Sequence, residues 1–110
     1  MQEQRRYQRM DFFCPLHLTV LQNGFMVPAS CIDISIGGVG LIARISLERG
    51  QMVRVRFHLN PESGEARDED IVGRVAYSQA QNDGNRLGIE FLDTIRESTQ
   101  PVLMRTINHL

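Results

Sequence analysis

The chain has 110 residues, 42% of them hydrophobic and 23% charged, with a formal net charge of −1 at pH 7. That length is one domain, and the composition is that of an ordinary soluble globular protein. A charge so near zero argues against broad nucleic-acid affinity, which rests on many phosphate contacts. No apolar run is long enough to span a bilayer, and the polar stretch Met1 to Arg9 lacks the apolar core of a secretory signal, so a cytoplasmic location is expected.

The first ten residues hold Arg5, Arg6 and Arg9 against Glu3, a local charge of +2 that leaves −3 for the remainder. Three guanidiniums so close repel one another unless an anion or a carboxylate neutralises them. Arg5 and Arg9 have the spacing Arg-x-x-x-Arg. All 12 basic residues of the chain are arginine, whose planar fork grips phosphates and guanine edges through paired hydrogen bonds. Taken alone, the cluster reads as a solvated basic end, or as one paired with the acidic 62–70 stretch.

From Phe12 to Val20 the apolar residues fall on even positions, the period of a half-buried strand. Gln22-Asn23-Gly24 follows, and Asn-Gly is a strong hairpin signal. A second strand is expected from about Phe25 to Ile32, with Pro28 marking an edge or an irregularity. Asp33-Ile34-Ser35-Ile36-Gly37-Gly38 ends it with the spacing Asp-x-Ser-x-x-Gly. An aspartate at a strand end can accept hydrogen bonds from a guanine edge. Ser35 can bond a phosphate or the backbone, and Gly37 and Gly38 permit close approach and positive φ. Taken alone, these residues read as a turn that satisfies its own backbone.

Val39 to Ala43 reads as a third strand. Val53, Val55, Phe57 and Leu59 alternate with Arg54, Arg56 and His58 in the next. Asn60 to Asp70 reads as a solvated loop carrying Glu62, Glu65, Asp68, Glu69 and Asp70, without the spacing of an EF-hand. Ile71 to Tyr77 and Leu87 to Phe91 complete the strands, around a turn expected over Gln79 to Asn85 that carries Asp83-Gly84. Val102, Leu103, Thr106, Ile107 and Leu110 then follow helical spacing. Pro101 fits a first turn, so the helix is expected over 98–110 with Ser98 as its N-cap; Thr94-x-x-Glu97 is a competing start. About six short antiparallel strands and one helix predict a mainly β fold, a small barrel. A single domain is expected over 1–110, with residues 1–11 as a flexible arginine-bearing arm.

Cys14 and Cys31 match no zinc or redox spacing and read as buried thiols. His17, His58 and His109 show no metal spacing, and His17 and His58 fall on the polar parity of their strands. No catalytic constellation is visible, so no enzyme is expected.

In this order, the two motifs resemble those of the PilZ domain family, bacterial receptors for cyclic di-GMP. The family carries Arg-x-x-x-Arg on an N-terminal loop, here Arg5 and Arg9. It carries (Asp/Asn)-x-Ser-x-x-Gly on an early strand, here Asp33, Ser35 and Gly38. Asp33 to Leu41, Gly50 to Phe57, Gly73-Arg74-Val75 and Leu87 to Phe91 are similar to the family as well. The resemblance implies a six-stranded antiparallel β-barrel with a C-terminal helix. It implies that Arg5 and Arg9, helped by Arg6, grip the phosphates and the guanine edge of cyclic di-GMP. It also implies that Asp33 and Ser35 contact guanine and nearby polar atoms, and that Gly38 leaves room for the base, with Gly37 beside it among the ligand-binding residues. The function implied is a regulatory receptor that signals by ordering its N-terminal arm, passing the signal to a downstream protein partner. No cofactor, nucleic acid or membrane insertion is expected. The alternative is a protein-interaction adaptor of the same fold that ignores the nucleotide. A single-strand nucleic-acid binder, which needs a basic groove with stacked aromatics, fits the charge and the 6% aromatic content poorly.

Overall fold

The computed structural model describes residues 7–61 and 64–110. Arg5, Arg6 and Glu62, which enter the sequence reading, lie outside them. Among the described residues, six strands run in order: β1 (Met10–Val20), β2 (Met26–Ser35), β3 (Gly38–Ala43), β4 (Met52–Leu59), β5 (Arg67–Gln81) and β6 (Gly84–Phe91); the helix α1 (Pro101–Asn108) follows. The strands close into an antiparallel barrel in the order β1-β2-β3-β6-β5-β4. The period-of-two residues become its filling: Leu16, Leu18, Val53, Val55, Phe57, Leu87 and Ile89 are all fully buried. Gly24, at φ 76°, turns the β1–β2 hairpin, while the Asn23 side chain accepts the Phe25 N–H at 2.9 Å.

Three bulges interrupt the ladders, at Asp11/Cys14 in β1, at Cys31/Asp33 in β2 and at Val75/Tyr77 in β5. Each extra residue resets which side chains face inward. Cys31 and Ile34 both point into the core, so Asp33 between them points out. Strict alternation from Val75 would bury Tyr77; the bulge turns it to the surface.

Three expectations are corrected here. Met10 and Asp11 do not belong to an arm but open β1, where they pair with Ile34 and Asp33. The helix starts at Pro101, with Gln100 rather than Ser98 at its N-cap and no capping bond from the Gln100 side chain. Proline suits that first position because its φ is already helical and the N–H it lacks would have had no partner. Residues 67–70 are not loop but the start of β5, and Glu69 is buried, not solvated. Its carboxylate accepts the Val102 and Leu103 N–H groups, each at 2.9 Å, and pairs with Arg67 at 3.1 Å. A strand thus supplies the anionic cap at the positive end of the helix. Gln100 Nε2 adds a bond to the Asp70 carbonyl at 3.0 Å. Val102, Leu103 and Ile107 join the barrel core, whereas Leu110 lies beyond the helix and is exposed.

Both cysteines are buried and free, as expected. Burial pushes the Cys14 thiol up to about 11 and the Cys31 thiol up as well. His17 and His58 lie at the surface yet touch, Nδ1 to Nε2 at 2.6 Å, and His58 Nδ1 meets Asp68 Oδ1 at 2.8 Å. No helix among the described residues is long and apolar enough to cross a membrane.

Candidate functional site

The Asp33–Gly38 segment is not one turn but the end of β2, a two-residue turn and the start of β3. The turn is fixed from outside: Gly37 O accepts the Phe91 N–H at 2.9 Å and Ile36 O accepts the Ile95 N–H at 2.8 Å. Ser35 Oγ accepts the Gly37 N–H at 3.2 Å, which leaves the hydroxyl hydrogen for another acceptor. Neither Gly37 nor Gly38 has positive φ; Gly24, Gly50 and Gly84 do. Their value is space alone. A Cβ on Gly37 would sit 2.5 Å from the Tyr7 ring, and one on Gly38 would sit 2.7 Å from the Ile89 carbonyl and 3.4 Å from Arg9 Nη2.

Arg9 and Asp33, 24 positions apart, meet at 2.7 Å between Nη1 and Oδ1. Both are largely shielded, with side chains 19% and 16% exposed, so the pair is worth more than a surface ion pair. Arg9 therefore finds its carboxylate within the second motif rather than in the 62–70 stretch. Asp33 has a second partner: Arg86 Nη2 donates to its other oxygen, Oδ2, at 3.1 Å.

The space for this clamp comes from glycines in register. Asp33 pairs with Gly40, Gly40 with Gly88, and Gly88 with Tyr77, a row across β2, β3, β6 and β5. A Cβ on Gly40 would lie 2.6 Å from Asp33 Oδ1, and one on Gly88 would strike the Tyr77 ring. With no side chains at the two middle positions, the Asp33 carboxylate and the Tyr77 ring lie flat on the barrel wall. Arg86, on the same face two residues before Gly88, reaches both. Hydrogen bonding with the Tyr77 hydroxyl, then the charge of Asp33, pushes the Arg86 guanidinium above its ordinary value.

Beside this row lies a cavity of about 570 Å³ lined by Tyr7, Arg9, Ser35, Gly37, Gly38, Ala76, Tyr77, Glu90, Phe91, Leu92 and Thr94. Its volume is that of a small-molecule site, roughly 300–1,000 Å³. It offers three aromatic residues, one guanidinium, the Ser35 and Thr94 hydroxyls and the Glu90 carboxylate, which sits 3.6 Å from Arg74. That set can stack a planar base, bind an anion and accept from ring N–H donors. Of the residues expected to bind, Arg9, Ser35, Gly37 and Gly38 line this cavity and Asp33 joins it through Arg9. Tyr7, Tyr77, Arg86 and Glu90 were not foreseen. Tyr77, Arg86 and Glu90 are far from both motifs in sequence, and Tyr77 is further hidden by its bulge; Tyr7 lies between the two arginines of the first motif, at a position that motif leaves open. No group of three or more His, Cys, Asp or Glu side chains able to hold a metal occurs among the described residues.

The profile of the PilZ domain matches residues 3–108. No curated protein matches the chain. Among solved structures, the chain is similar to the inhibitor of motility (MotI/DgrA) of Bacillus subtilis, with a TM-score of 0.75 and 18% identity over 98% of this chain and 52% of that one. It thus spans about half the length of that protein. It is also similar to the PilZ domain of YcgR from Escherichia coli, solved with cyclic di-GMP, with a TM-score of 0.71 and 17% identity over 98% of this chain and 92% of that one. The PilZ domain of CeSA from a cellulose-synthesizing bacterium gives 0.63 and 16% over 93% and 96%. At these identities the likeness is one of fold.

Proposed function

The chain belongs to the PilZ domain family, and from that premise we propose that it is a regulatory receptor that binds cyclic di-GMP in the cavity beside Arg9 and the Ser35–Gly38 turn. The observation that carries the reading is the Arg9–Asp33 pair at 2.7 Å on the edge of that cavity. A guanidinium suited to a phosphate and a carboxylate suited to guanine N1 and N2 donors are held together, each serving as the other's stand-in partner. Binding is then an exchange. Arg9 turns from Asp33 to a phosphate, and the guanine edge takes its place on Oδ1. Ser35 donates its hydroxyl hydrogen to a ligand oxygen, and Tyr7 and Tyr77 flank the bases. Arg5 and Arg6, outside the described residues, add charge on the phosphates. The signal is the closing over the ligand of the arginine-bearing segment that precedes β1, which changes a surface read by a protein partner.

Isothermal titration tests this. Micromolar or tighter binding of cyclic di-GMP is expected, with much weaker binding of cyclic di-AMP, because adenine N1 is an acceptor and faces the carboxylate unfavourably. Absence of binding at micromolar ligand would leave the nucleotide-independent adaptor as the better reading. A Gly40→Ala variant gives a local check. Its Cβ must displace Asp33 Oδ1 from a 2.6 Å contact, so affinity should fall by roughly tenfold, the worth of one charge-assisted hydrogen bond.

A further inference from the structure

We propose that Arg86 is a positioning residue of the nucleotide site: by holding Asp33 Oδ2 it leaves Oδ1 as the oxygen exchanged between Arg9 and the guanine edge. The inference rests on the cyclic di-GMP reading and goes beyond it, because Arg86 belongs to neither motif.

Asp33 has two oxygens and two arginine partners, and the two contacts differ. Arg9 meets Oδ1 at 2.7 Å and also lines the cavity, so it faces ligand and carboxylate at once. Arg86 meets Oδ2 at 3.1 Å and does not line the cavity. Arg86 stands on β6, which is paired on both sides, with Ile42 as its partner on one side and Gln79 on the other. Its backbone cannot follow the ligand. Arg9 precedes the first residue of β1 and is less constrained.

When Arg9 leaves for a phosphate, Asp33 would otherwise be a largely shielded carboxylate with no counter-charge. Such a group turns toward water and loses the guanine contact. Arg86 removes that outcome. It keeps a cation on Oδ2 and fixes the plane of the carboxylate, so the guanine N–H donors meet an oriented acceptor. Tyr77 completes the support, with its ring laid on Gly88 and its hydroxyl beside the Arg86 guanidinium. The bare glycine row is what permits the reach: a side chain at Gly40 or Gly88 would stand between Arg86 and its two partners.

The test is a double-mutant cycle read by titration with cyclic di-GMP on wild type, Arg86→Gln, Asp33→Asn and the double variant, with Arg86→Lys as a rescue. Asn is a residue that the motif tolerates, so the second background should still bind. Arg86→Gln should lower affinity roughly tenfold or more in the wild-type background, as loss of a charge-assisted bond does. In the Asp33→Asn background, where no carboxylate needs orienting, the same change should cost less than about twofold. Arg86→Lys should recover most of the affinity, and melting temperatures should stay together. Equal losses in both backgrounds would show that Arg86 acts on the ligand or the fold directly, and would overturn the inference, as would undiminished binding by Arg86→Gln. A wild-type chain that does not bind would overturn the receptor reading itself, a separate result.

Discussion

Replacing Arg9 with alanine should lower the affinity for cyclic di-GMP about a hundredfold while leaving the barrel folded. The expected loss follows from the two roles of one side chain. Its guanidinium supplies a charge-assisted, two-pronged contact to phosphate, worth up to about 3 kcal/mol, which is about two orders of magnitude in affinity. The fold survives because Asp33 is not orphaned. Arg86 still holds Oδ2 at 3.1 Å, so the remaining carboxylate keeps a counter-charge. Asp33→Ala is the harsher change, since it sets the Arg9 and Arg86 guanidiniums side by side with nothing between them. Titration calorimetry gives the affinity and thermal denaturation the stability. An Arg9→Ala variant that binds like wild type would remove Arg9 from the site.

The largest effect on stability is expected from Glu69→Ala. The Glu69 side chain is 2% exposed, and its two oxygens accept the N–H groups of the second and third residues of α1. Without it, both donors lie buried with no acceptor, at about 1–3 kcal/mol each. Removing a buried carboxylate also relieves its own desolvation, which offsets part of that cost. A net loss of roughly 2–4 kcal/mol follows, or a fall in melting temperature on the order of 10 °C for a domain of this size. Glu69→Gln keeps one acceptor oxygen and should fall about midway. Detachment of the helix would show as early hydrogen exchange at Leu103 and Ile107. If Glu69→Ala melts with wild type, the helix is held by its apolar face alone.

These two residues mark what a reader of the sequence can and cannot see. β4 was legible nearly to its ends, because Val53, Val55, Phe57 and Leu59 keep strict alternation and no bulge disturbs it. The closed barrel, the hairpin at Gly24 and the burial of both cysteines follow from equally local signals. Glu69 was misplaced because five carboxylates in eleven positions look solvated; what rescues one of them is a helix end more than thirty residues later. The helix start is hidden for the same reason. Its cap comes from a strand, so the local signal points to Ser98, which does not cap.

The site divides the same way. Its motif residues were visible because Arg9, Asp33, Ser35, Gly37 and Gly38 have fixed spacings. The role of the glycines is only half legible: their presence suggests both close approach and positive φ, and the structure has the close approach without the positive φ. Arg86 and Tyr77 could not be placed, because their position beside Asp33 depends on strand register and on the Val75/Tyr77 bulge. Alternation alone assigns Tyr77 to the interior.

The central claim, that cyclic di-GMP binds by taking Asp33 from Arg9, is tested most directly by a backbone and arginine side-chain NMR titration. The account predicts shifts confined to Arg5–Arg9, Asp33–Gly38, Tyr77 and Arg86, and a changed Arg9 guanidinium resonance with Arg86 still paired. Binding that shifts other faces of the barrel and leaves the Arg9 and Asp33 signals in place would contradict it.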